Sequence, residues 1–212
     1  MIVDRLSRIL YRLPVMILIH GIFAVIVGGI LRPMVDRSMG TLLRWIAVHA
    51  ALTQTALFLL ALLSLTALCS WFFMKARLLS LLKLSMVYTT LIYSLNYLLM
   101  LYVTRISWGG IDWQEPRMLV STQLLFILLP WLGLNLLINY SWLIRYSSLA
   151  LGFFAQFLIR SAPVVNHPLD PVRAGGEAYL AVGFPALALL FTVLAVYDLA
   201  ALDRHYNGGY HG

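Results

Sequence analysis

Long apolar runs separated by short polar breaks set the pattern of this chain. The runs are Leu13 to Leu31, Trp45 to Met74, Leu78 to Thr104, Met118 to Ile159 and Tyr179 to Leu202. They lack the dyad alternation of a membrane-barrel strand, so each predicts a helix that satisfies its own backbone hydrogen bonds in hydrocarbon. A spanning helix needs about 20 residues, whereas Met118 to Ile159 as one helix would be roughly 60 Å long against a core of about 30 Å. Its middle, Asn139 to Ser148, reads NYSWLIRYSS, and Arg145, two tyrosines and a tryptophan are residues of a membrane interface. Dividing the run near Arg145 gives six spans. The predicted architecture is an all-α, polytopic six-helix bundle, one domain over residues 1–212.

Composition agrees with the pattern. Of 212 residues, 62% are hydrophobic and 11% charged, against roughly a quarter charged in a soluble domain. The first run follows Arg5, Arg8 and Arg12 with no A-x-A-like cleavage site after it, so it reads as a retained signal anchor. The single cysteine, Cys69, forms no internal disulfide, and no C-x-x-C-H is present to attach haem covalently.

Six spans put both termini on one side and the loops 32–44, 105–117 and 160–177 on the other. The net charge of +7 is carried by basic residues placed singly at the ends of apolar runs, a membrane-lipid pattern and not a nucleic-acid surface. Charge does not orient the bundle. Arg5, Arg8, Arg12, Lys75, Arg77, Lys83, Arg145 and Arg204 flank one face, and Arg32, Arg37, Arg44, Arg105, Arg117, Arg160 and Arg173 flank the other. The arginines of the second face either snorkel as anchors or are kept for an anionic ligand.

Candidate chemistry gathers on that second face. The stretch SWGGIDWQEPR, Ser107 to Arg117, is a polar and aromatic island, and two histidines flank it. His49, in RWIAVHAAL, lies about one turn inside the second helix, and His167, in VVNHPLD, lies in the loop before the sixth. Each has two readings, a hydrogen-bonded structural residue near a helix end or an axial ligand to haem iron. His20 lies toward the opposite face, where a helix-packing hydrogen bond is expected. His205 and His211 belong to a Gly-rich, solvated tail. Neither a catalytic triad nor a phosphate-binding glycine loop is found, so no enzymatic activity is expected.

The order of these features resembles the haem-handling proteins of cytochrome c maturation, the small six-helix CcmC type. In that family a histidine at the outer start of the second helix and another before the sixth flank a tryptophan-rich WWD loop after the third. The second-helix histidine corresponds to His49, the loop to Trp108–Arg117 within 105–117, and the later histidine to His167. The family loop is close to W-G-x-W-W-x-W-D-P-R. Here Trp108, Gly109, Pro116 and Arg117 are kept and Glu115 replaces the acid. Ile111, Asp112 and Gln114 stand at tryptophan positions, and Trp113 is displaced by one.

The resemblance implies a role in cytochrome c biogenesis without bond making. Haem b, bound transiently and non-covalently, is expected between His49 and His167 and against Trp108, Gly109 and Trp113, with Glu115 and Arg117 completing the loop. The implied partners are a periplasmic haem chaperone and ABC-transporter-like maturation subunits. The implied location is the bacterial cytoplasmic membrane, with both termini cytoplasmic. A structural subunit of a larger redox or transport complex is the alternative. A solute carrier is disfavoured, because mid-span polar residues such as Gln54 and Asn96 are few and no internal repeat is found.

Overall fold

A computed structural model describes residues 13–34, 40–73, 76–163 and 178–208. It contains α1 (Leu13–Leu31), α2 (Leu42–Phe73), α3 (Ala76–Trp108), α4 (Pro116–Ile138), α5 (Ser141–Ser161) and α6 (Ala178–Gly208). All six are long and apolar enough to cross a membrane. The chain is a multi-pass membrane protein built as an all-α six-helix bundle.

The long fourth run divides at Asn139 and Tyr140, six residues before Arg145. Asn139 adopts the left-handed conformation (φ 50°, ψ 32°) and closes α4 through its amide to the Asn135 carbonyl. Asparagine tolerates that conformation better than other residues with a β-carbon, which fixes the turn there. Lys83 Nζ reaches across from α3 and donates to Asn139 Oδ1 at 2.6 Å, and Ser147 of α5 donates to the buried Asn135 at 3.1 Å.

The second helix is the hub, packing on α3, α5 and α6. It presents small buried residues, Ala47, Ala51, Ala56, Ser64, Ala67 and Ser70, which let neighbouring backbones approach where van der Waals packing drives association. The approach is closest at Gly152 of α5, where a β-carbon would meet the Ser64 side chain and come within 2.5 Å of the Leu60 carbonyl oxygen. By contrast, α1 packs chiefly on α6, with Phe23 edge-on to Phe191 at 5.1 Å.

Cross-helix pairs set the register. Trp45 meets Tyr102 edge-to-face at 5.8 Å and His49 meets Asn96, so α2 and α3 run antiparallel. Thr55 meets Thr192 at 3.3 Å and Leu59 packs with Ala195 and Leu199, so α2 and α6 run parallel. One end of the bundle therefore carries the α3–α4 loop, and the other carries Arg77, Lys83 and the α4–α5 turn. These are called the Trp108 face and the Arg77 face. On the Arg77 face Trp71, Tyr146 and Trp142 form an edge-to-face chain with centroids 4.9 and 5.6 Å apart, and Arg77 Nη2 binds the buried Asp203 at 3.0 Å.

Candidate functional site

The polar island between α3 and α4 is a capped connector. Gly109 takes a positive φ of 73° just beyond the end of α3, a conformation glycine adopts without steric cost. Asp112 Oδ1 then accepts the Gln114 amide at 3.0 Å, the local turn typical of this residue type. Glu115 is the N-cap of α4: its backbone is extended, its Oε2 accepts the Met118 amide at 2.6 Å, and Pro116 follows at the first helical position. Glu115 is only 2% exposed, and Oε1 is buried with no hydrogen-bond partner among the described residues. Glu115 and Pro116 thus cap α4, and Gly109 and Asp112 shape the turn that leads to it.

The aromatic side chains are placed otherwise. Trp108 and Trp113 are exposed at 39% and 52%. Trp108, Gly110, Ile111 and Asp112 line an open hollow of about 440 Å³, within the size range of small-molecule sites. Arg117, in the first turn of α4, is half-buried.

His49 is deeper than its sequence position suggested. Because α2 begins at Leu42, the histidine lies two turns inside the helix. Its ring engages Asn96 of α3, Nδ1 to Oδ1 at 3.0 Å. Asn96 Nδ2 donates to Thr53 Oγ1 at 3.0 Å, and Thr53 donates back to the His49 carbonyl at 2.9 Å. This ring of bonds is consistent in only one direction. Thr53 spends its single hydrogen on the His49 carbonyl, so it accepts from the Asn96 amide, whose oxygen is then the acceptor facing His49. Nδ1 therefore carries the imidazole hydrogen, and in the neutral ring Nε2 holds the lone pair.

The expected site is only partly assembled. Asn96 precedes Trp108 by twelve residues, about 18 Å along α3 at 1.5 Å per residue. His49 therefore lies well below the Trp108 loop and not beside it. His167 is outside the described residues. His20 is half-buried in α1 and faces Asp198 of α6 at 3.2 Å, the role expected of it with a partner the sequence reading missed. Asp198 also accepts from Tyr88 of α3 at 2.9 Å. A carboxylate inside the apolar run Tyr179 to Leu202 was the available signal, since ionisable residues in spans are rare and costly.

Polar groups at membrane depth are more numerous than expected. Tyr93 donates to the Ser121 carbonyl at 3.0 Å, Tyr97 pairs with Thr122 at 2.9 Å, and Gln156 donates to the Leu57 carbonyl at 2.6 Å. Each of these joins two helices. No group of three or more potential metal-binding side chains occurs among the described residues, which leaves single histidines as the candidate ligands. Comparison with protein-family models, with curated proteins and with solved structures gives no match.

Proposed function

We propose that this chain handles haem in cytochrome c biogenesis, with His49 ligating the iron through Nε2. The observation that supports the reading is the Asn96–Thr53 clamp on His49. Metal-ligating histidines commonly donate their other ring hydrogen to an oxygen that fixes tautomer and orientation, and Asn96 Oδ1 does this at 3.0 Å. The donor set fits haem in that one respect, a neutral imidazole held by its far nitrogen. Haem, when bound, would supply an iron whose ligands exchange, and the chain would supply holding without covalent attachment.

His167, which lies in the sequence between α5 and α6, is the proposed second ligand. The depth of His49 moves the holding into the bundle and leaves Trp108, Gly109 and Trp113 at its rim, with Arg117 as the cation for a propionate. Glu115 braces the rim through its cap. In the same reading the Trp108 face is periplasmic, both termini are cytoplasmic, and the bacterial cytoplasmic membrane is the site of action. The recipient is a periplasmic haem chaperone, reached with ABC-transporter-like subunits.

Expression with ample haem, followed by purification and absorption spectroscopy, tests this. The parent is expected to carry low-spin haem, and His49→Ala to lose it. A second reading, a structural subunit of a larger redox or transport complex, is favoured by the capped connector, which explains much of the loop without a ligand. A well-folded parent devoid of haem decides for it.

A further inference from the structure

One side of α2 is left uncovered by α5 near the Trp108 face. The two helices run antiparallel: Ser64 of α2 donates to the Leu149 carbonyl at 3.3 Å, and Gln156 of α5 donates to the Leu57 carbonyl at 2.6 Å. Continued along that register, Ser161 ends α5 level with about Leu52, roughly 4–5 Å short of His49 at 1.5 Å per residue. Trp45, His49, Thr53 and Leu57 follow at intervals of four, so they share one stripe of α2. Its lower part lies against α5, and its upper part, His49 and Trp45, stands beyond the end of α5. Across from Trp45 is Tyr102 of α3, edge-to-face at 5.8 Å. Tyr102 lies half-way along α3 between Trp108 and the Asn96 that grips His49. Both rings are half exposed, Trp45 at 47% and Tyr102 at 48%.

Resting on the haem-handling reading, we propose that Trp45 and Tyr102 form the surface against which the porphyrin ring lies, one turn above the iron-holding His49. A macrocycle reaches well beyond its metal on every side, so aromatic residues one turn from the ligand meet the ring before the loop does. Along α3, Tyr102 is about 9 Å from Asn96, whereas Trp108 is about 18 Å away. Aromatic rings meet a conjugated surface offset-stacked or edge-on. Trp45 and Tyr102, inclined at 78° to each other, offer it one face and one edge. Tryptophan and tyrosine at this level also suit a membrane interface. What sets this pair apart from a belt is its place, on the ligand's side of α2 where α5 leaves room. The ligand class is then a flat, apolar tetrapyrrole recognised by its ring as well as by its metal. A metal-free porphyrin, which His49 cannot ligate, is held by the same surface.

The test measures retention of haemin and, separately, of metal-free protoporphyrin IX on the immobilised full chain, together with the absorption spectrum of the haemin complex. The parent is expected to hold both. His49→Ala is expected to lose the low-spin haemin spectrum and still hold protoporphyrin. Trp45→Leu and Tyr102→Leu are each expected to weaken retention of both porphyrins about 2- to 10-fold, and to keep the low-spin spectrum once haemin saturates them. Trp45→Phe, which narrows the aromatic face, is expected to fall between the parent and Trp45→Leu. Leu variants that hold protoporphyrin as the parent does overturn the proposal and make the pair an interface belt. A parent that binds low-spin haemin through His49 but no protoporphyrin also overturns it, and leaves the haem-handling reading standing. A well-folded parent that holds neither porphyrin removes both. If circular dichroism shows a Leu variant unfolded, Trp45→Phe decides, and retention equal to the parent's overturns the proposal.

Discussion

Asn96 of α3 grips His49 of α2 at 3.0 Å, although the two are separated by 47 residues in the chain. The grip fixes which imidazole nitrogen is basic. Replacing Asn96 by Leu, which keeps the apolar bulk and removes the acceptor, is expected to lower haem retention about 10- to 100-fold while His49 is still present. Haem content per purified protein measures it. Retention equal to the parent's would detach the clamp from ligation.

At the loop, structure and ligand binding are separable. Glu115→Ala is expected to cost about 0.5–2 kcal/mol of stability through loss of the α4 cap, read by thermal unfolding in detergent. Trp108→Ala and Arg117→Ala are expected to leave stability near the parent's and to reduce cytochrome c maturation in a deleted host more than Ile111→Ala or Gln114→Ala does. Equal tolerance at Trp108, Arg117, Ile111 and Gln114 would make the island a connector only.

The α2–α5 crossing admits no side chain at Gly152. Gly152→Ala is expected to cost about 1–3 kcal/mol, because a β-carbon there meets backbone as well as the Ser64 side chain. Gly183→Ala is the comparison. Its β-carbon meets only the terminal methyl of Met34 within 3 Å, a flexible side-chain end, so a smaller loss is expected. The order of the two unfolding temperatures checks this.

Six crossings place the chain's two ends on one side. A reporter fused after Gly212 is expected to read cytoplasmic, and one inserted at Gly110 to read periplasmic. Both readings reversed would keep the fold and turn the Trp108 face inward, which removes the proposed delivery to a periplasmic chaperone.

The apolar runs made the helices legible. The run Leu13–Leu31 is helical throughout and α1 ends with it at Leu31, where Arg32 and Pro33 follow. The fourth run had to divide on length alone, but the place was decided by the backbone tolerance of Asn139 and not by the charge at Arg145. In the loop, Glu115 followed by Pro116 is a helix-start signal, and it was subordinate to the tryptophan pattern. The partners of His49 and His20 lie on other helices, so register had to be known before either pair was visible. Asp198 was legible as a lone acid in an apolar run, whereas its pairing with Tyr88 across 110 residues was not.

The pairing of α1 with α6 also dictates an order of assembly. Of the six described helices, α1 enters the bilayer first during synthesis, and its chief partner enters last. The hub α2 can gather α3 and α5 before α6 is made, whereas α1, which meets α2 only around its end at Val27, Ile30 and Leu31, still awaits its chief partner with His20 unmatched. Completion of the bundle is therefore a late docking event between the first and last of the described helices. A ribosome stalled before α6 would be expected to leave α1 open to degradation or to pairing with a foreign helix.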